Sequence, residues 1–163
     1  MKELKRSEQR EQAFAIIFER IFNEAPLEEL IDNALLARDF ELCDYAKKTA
    51  EGVQEHLEEI DAAIERYALG WKKQRISKVA LAVLRLAVYE MKYEEDVPVA
   101  VSANEAVELA KKFAAPADAA FINGILGSIS RAKGSFEQCC EVPAQEFAEK
   151  APVEVCCPEE KAQ

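Results

Sequence analysis

Along most of the first 131 residues, apolar side chains recur at the three-to-four-residue spacing of a helix face, and no stretch alternates as a half-buried strand does. Phe14, Ile17, Phe18, Ile21 and Phe22 make one stripe and predict a first helix from about Leu4 to Asn23, broken by Pro26. Leu27, Leu30, Ile31, Ala34 and Leu35 mark a second helix from Leu27 to Ala37, with Pro26 suited to its first turn. Leu42, Tyr45, Ala46, Thr49, Val53, Leu57, Ile60, Ile64 and Tyr67 hold one phase, which predicts a single long third helix from about Leu42 to Leu69, with Gly70 as its stop.

From Ile76 to Met91 the polar face nearly vanishes, and a helix that is apolar almost all round is buried almost all round. This segment is therefore expected to be the central helix, with Arg85 and Glu90 pairing or meeting a partner at its rim. Asp96-Val97-Pro98 turns the chain. The phase of Val99, Ala103, Ala106, Val107, Ala110 and Phe113 then favours a fifth helix starting at Pro98 over one capped by Ser102. Pro116 opens a last helix whose stripe (Phe121, Ile122, Ile125, Leu126, Ile129) runs through Asn123-Gly124, so Gly124 is expected to admit a neighbouring backbone. The expected fold class is all-α: a compact bundle of about six to seven helices over residues 1–132, then an acidic, cysteine-containing tail over 133–163 with too little apolar surface to order.

Charge changes this picture locally. The net charge of −10 opposes nucleic acid, whose binding draws on cations that neutralise phosphates. Yet Trp71 to Lys92 carries Lys72, Lys73, Arg75, Lys78, Arg85 and Lys92 against Glu90 alone, and the first ten residues carry Lys2, Lys5, Arg6 and Arg10 against Glu3 and Glu8. No apolar run approaches the roughly 18 residues that span a bilayer, and the charged N-terminus lacks an export signal, so no membrane and a cytoplasmic location are expected. In that reducing compartment the five cysteines should be thiols, with Cys43 acting as a small, partly buried residue.

Catalytic chemistry is absent from the pattern. There is no phosphate-cradling glycine loop and no nucleophile with a base, so the chain is not expected to be an enzyme or to need a cofactor. His56, beside the apolar stripe, reads as a packing residue, and Glu55, Glu58, Glu59, Asp61 and Glu65 read as the solvated face of their helix. Cys139-Cys140 and Cys156-Cys157 are adjacent pairs whose side chains point apart, which does not suit zinc. What remains is a binding surface. Arg6 and Arg10 lie one helical turn apart, with Phe14 and Phe18 continuing the ridge, a strip of cations and rings of the kind that binds single-stranded RNA.

Three fragments sharpen that reading: Leu84-Arg-Leu-Ala-Val-Tyr-Glu90, Asn104-Glu-Ala-Val-Glu-Leu-Ala-Lys-Lys-Phe113 and Phe121-Ile-Asn-Gly-Ile-Leu126. In this order they closely resemble the NusB family of bacterial transcription antitermination factors, and the resemblance runs from about Lys5 to Arg131. It implies a protein that binds a boxA-like single-stranded segment of ribosomal RNA leader transcripts. It also implies a complex with the small-subunit ribosomal protein that acts as NusE, and indirect links to other Nus factors and RNA polymerase. Carried over by position, the implied RNA residues are Lys5, Arg6, Arg10, Phe18, Phe121 and Asn123, and the implied partner residues are Ala80, Arg85, Tyr89, Glu90 and Glu105. Ala120 stands where the family has a Lys or Arg, and Ala80 and Leu81 replace an acid-base pair; both departures imply weaker electrostatic contacts. The alternatives are a helical protein-interaction module without RNA binding, or an RNA-binding domain like that of ribosomal RNA methyltransferases. The latter needs a catalytic domain for which 163 residues leave no room.

Overall fold

A computed structural model describes residues 4–38, 42–71 and 73–132. Among them are seven α-helices: α1 (Arg6–Phe22), α2 (Leu27–Arg38), α3 (Asp44–Glu55), α4 (Leu57–Tyr67), α5 (Lys78–Tyr93), α6 (Val99–Phe113) and α7 (Pro116–Arg131). A short 3₁₀ turn, Lys73–Arg75, joins α4 to α5. No strand occurs among the described residues, as the helical periodicity requires. None of the helices there is long and apolar enough to cross a membrane. The acidic tail with Cys139, Cys140, Cys156 and Cys157 lies outside the described residues.

The near-continuous apolar run of α5 has the expected consequence: every residue from Ala80 to Met91 is buried. Helices α1, α3, α4, α6 and α7 all pack against it, so the other stripes find their apolar partner on this one helix. Its start is secured by the Ser77 hydroxyl, which accepts the Ala80 N–H at 3.1 Å. The helix α2 lies apart from that core, and its Ile31 clusters with Ile16 of α1 and Ala50 of α3. Pro98 immediately precedes α6, and Pro116 is the first residue of α7, as the apolar phase indicates.

The long third helix divides at His56, whose backbone (φ −103°, ψ 21°) turns the chain between α3 and α4. The division lets α3 lie on α1 and α5 while α4 reaches α5 and α7. Apolar period does not register it, because the stripe stays in phase across the bend. His56 packs as expected, stacked on Tyr93 with ring centroids 4.2 Å apart. Cys43 is half-buried and also caps α3, its Sγ accepting the Ala46 N–H at 3.4 Å.

Two glycines carry backbone demands. Gly70 has φ +78°, and its left-handed conformation follows the end of α4. Gly52 lies hard against Tyr89, whose hydroxyl and ring carbons leave no room for a Cβ there. Gly124 does not have the role expected of it: it is exposed, and nothing lies within 4 Å of where its Cβ would be. Gly52→Ala should therefore destabilise the fold by about 1–3 kcal/mol of overpacking, partly offset by about 1 kcal/mol of helix propensity. Thermal unfolding is the check, and at about 2–4 °C per kcal/mol the midpoint should fall by a few degrees, whereas Gly124→Ala should not lower it.

Candidate nucleic-acid interface

The N-terminus of α1 presents two exposed cations. The Glu8 carboxylate accepts the Lys5 N–H at 2.9 Å, fixing the first turn where the helix dipole favours an acid. Arg6 lies over the ring of Tyr45 from α3, its guanidinium carbon 3.9 Å from the centroid, and donates to Gln9 Oε1 at 3.0 Å. Stacking on one face and a single bond to Gln9 leave other N–H donors of this five-donor group directed to solvent. A fixed, solvent-facing guanidinium is suited to a phosphate oxygen.

Arg10 departs from the expected strip. It is only 4 % exposed, with Nε 2.8 Å from Glu90 Oε1 and Nη1 3.3 Å from Glu105 Oε2. The Tyr45 hydroxyl also donates to Glu90 Oε1. Burial acts to lower the Arg10 pKa, but the charge and hydrogen bonding of Glu90, with help from Tyr45 and Glu105, reverse that and raise it. Burial and Glu90 likewise hold the Tyr45 hydroxyl protonated well above the ordinary tyrosine range. Arg10 is thus committed to the interior and is not a phosphate contact: helical spacing puts it beside Arg6, but the turn between them takes it under α5 and α6.

The expected aromatic sites separate. Phe18 is half-buried between Phe14 and Phe22, with centroids 5.9 and 5.1 Å away. Phe14 itself is core, stacked on Phe113 at 5.0 Å. Phe121, also half-buried, meets Trp71 at 5.3 Å, whereas Asn123 is exposed on another side of α7, in a shallow groove shared with Asn104, Lys111 and Ala120. Lys5 and Arg6 therefore form one patch. Phe121 and Asn123 do not share a face, because two residues apart on a helix means a rotation of about 200°.

Most of the expected partner residues are interior. Ala80 is fully buried, Tyr89 closes on Gly52, and Glu90 is 1 % exposed in the Arg10 network. Arg85 is buried too, and its Nε and Nη2 reach the two Asp61 oxygens at 2.8 and 2.9 Å. Ala80, Tyr89 and Glu90 are covered or paired within the bundle, and Arg85, though paired, lines an open groove. Glu105 is half-buried beside a groove of about 360 Å³ lined also by Ser7, Glu11, Glu108, Lys111 and Lys112.

Three residues that matter here escaped the pattern. Asp61, counted with the solvated acids, is buried; the signal available was Arg85, a cation inside an apolar helix, which requires an acid. Glu59 of the same acidic set is held by Lys92 and Tyr93, at 2.5 and 2.8 Å, and hydrogen bonding from Lys92 lowers its pKa. Tyr45 reads from sequence as one more apolar-stripe residue, and nothing in the spacing announces a hydroxyl aimed at Glu90. Among the described residues no group of three or more His, Cys, Asp or Glu is placed to hold a metal ion.

Known proteins resemble this chain in sequence and fold. The model of the NusB family matches residues 7–131. The transcription antitermination protein NusB of Clostridium botulinum (strain Hall) is 39% identical over 142 residues, spanning 77% of this chain and 99% of the relative. That of Acetivibrio thermocellus is 44% identical over 126 residues, spanning 76% and 87%. Among solved structures, T. maritima NusB aligns with a TM-score of 0.72 and 33% identity over 83% of this chain and 99% of that one. A crystal structure of the antitermination factors NusB and NusE in complex with dsRNA aligns with a TM-score of 0.70 and 28% identity over 78% and 96%.

The buried pair makes a prediction of its own. Arg10→Ala leaves the Glu90 carboxylate without its cation inside the bundle, a change that costs about 3–5 kcal/mol. Chemical denaturation should show that loss, with Arg6→Ala within about 0.5 kcal/mol of the parent as expected at an exposed site. Equal stability of the two variants would mean that Arg10 is not bound to Glu90 in solution.

Proposed function

The chain belongs to the NusB family, and from that membership we propose that it is a transcription antitermination factor, an adaptor that binds RNA and a protein partner and performs no covalent chemistry. The RNA is a boxA-like single-stranded segment of a ribosomal RNA leader. The partner is the small-subunit ribosomal protein acting as NusE, and the pair carries the transcript to elongating RNA polymerase with other Nus factors in the bacterial cytoplasm. The helical domain, residues 1–132, supplies both surfaces.

One observation carries the RNA half: Lys5 and Arg6 stand exposed at the start of α1, with Arg6 stacked on Tyr45. Arg10 supports this patch from beneath by holding α1 to α5 and α6. Phe18, Phe121 and Asn123 serve as secondary contacts on neighbouring faces. The partner half centres on Glu105, beside a groove whose acids Glu11 and Glu108 are paired with Lys112 and Lys111, rather than on the buried Ala80, Arg85, Tyr89 and Glu90. A second reading, a protein-interaction module without RNA binding, is favoured by the net charge of −10 and by Ala120.

Titration of a fluorescent boxA-like RNA, with and without the ribosomal partner, distinguishes the two. The adaptor should bind RNA, and more tightly with partner present; a chain that binds the protein but never the RNA follows the second reading. With two phosphate contacts at roughly −0.7 each, log K should fall against log salt with a slope of about −1.4. Arg6→Ala should bring that slope to about −0.7, with the melting temperature unchanged.

A further inference from the structure

We propose that Trp71 and Phe121 form a second RNA subsite, in which an unpaired base stacks on the open face of the Trp71 indole; the proposal rests on the RNA-binding reading above. Trp71 follows Gly70 at the end of α4 and is 52 % exposed. Its position is nevertheless held. Its backbone N–H donates to the Ala68 carbonyl at 2.9 Å, and its ring leans on Phe121 at 5.3 Å with 53° between the planes. Phe121 is in turn packed against the main core, so the indole has a rigid support on one side and solvent on the other. Stacking of this kind needs no particular base, because every base has a π-face.

Charge selects the occupant. From Trp71 to Lys78 the chain carries Lys72, Lys73, Arg75 and Lys78 and no acid, in a protein whose net charge is −10. Arg75 and Lys78 are exposed. Asp118 of α7 is nearby, with its carboxylate accepting the Ser77 hydroxyl at 2.9 Å. The groove of about 830 Å³ that Trp71 borders has mixed charge, Arg20, Lys78 and Arg85 against Glu24 and Glu65. The phosphates are therefore placed over Arg75, outside the groove, and Lys78, which lines it, with the base on the ring. An aromatic face beside exposed cations suits a polyanion with flat bases better than it suits an apolar protein surface.

The site lies at the opposite end of α5 from the Lys5 and Arg6 patch. Arg10 of α1 meets Glu90 late in α5, whereas Lys78 opens that helix. Twelve residues at about 1.5 Å each separate those ends by about 18 Å, or about five nucleotides at the ~3.4 Å per strand of stacked nucleic acid. An RNA that reaches both patches must be longer than that.

Trp71 is the sole tryptophan, so its fluorescence reports this site directly. The experiment titrates the full chain with an unpaired RNA of about twelve nucleotides, within the site sizes typical of single-strand binders. It follows Trp71 emission, acrylamide quenching and, separately, the anisotropy of labelled RNA. Emission should change saturably at the same half-point as the anisotropy, and RNA should protect Trp71 from acrylamide. Trp71→Ala should weaken binding by about five- to 140-fold, the range of one stacked base, while Trp71→Phe restores most of it. RNA that binds by anisotropy but leaves Trp71 emission and quenching unchanged overturns the subsite and leaves the α1 patch standing. Emission that responds to the ribosomal partner and not to RNA overturns it in favour of a protein contact. No RNA binding by any readout removes both this subsite and the RNA-binding reading.

Discussion

Three helices meet at the Glu90 carboxylate, and a fourth reaches it through Arg10. Taking an ion out of water costs several kcal/mol, so a carboxylate that is 1 % exposed persists only where its surroundings replace the lost hydration. Here Arg10 of α1 and Tyr45 of α3 supply that replacement to a side chain of α5, and Glu105 of α6 shares the same guanidinium. The apolar stripes bring these helices together without specifying their register closely. The Arg10 and Glu90 pair does so, because a displacement of α1 by one turn would leave both charges buried and unpaired. Arg85 with Asp61 does the same between α5 and α4.

This interior constraint shapes the surface. Tyr45 takes part in both: its hydroxyl is anchored to Glu90 and its ring lies beneath Arg6. The exposed cation at the start of α1 is thereby supported by a group that the core holds still, which reduces the conformational freedom that Arg6 must lose on meeting a phosphate. Moving Arg10 inward also reduces the cationic surface of α1. The cations left at the surface are few, in a chain that is acidic overall and basic only in patches.

The division of roles also explains why residues implied as partner contacts lie inside. Arg85, Tyr89 and Glu90 belong to the most deeply buried helix, where they set how α4, α3 and α1 sit. Two members of that set border open grooves, Glu105 on α6 and Arg85 on α5.

By itself the sequence determined the helices, their order, the prolines that start α6 and α7, and the central place of α5, because each of these follows from local period and backbone chemistry. It also carried the family likeness, in three short fragments whose order is legible without coordinates. Only the tertiary structure decided where charges and rings point. Arg6 and Arg10 look alike along α1, yet one faces solvent and the other Glu90, eighty positions away in the chain. The bend at His56, the pairing of Asp61 with Arg85 and the meeting of Trp71 with Phe121 are of the same kind. Each depends on which element lies opposite, and that is a property of packing between distant segments that no helical period encodes.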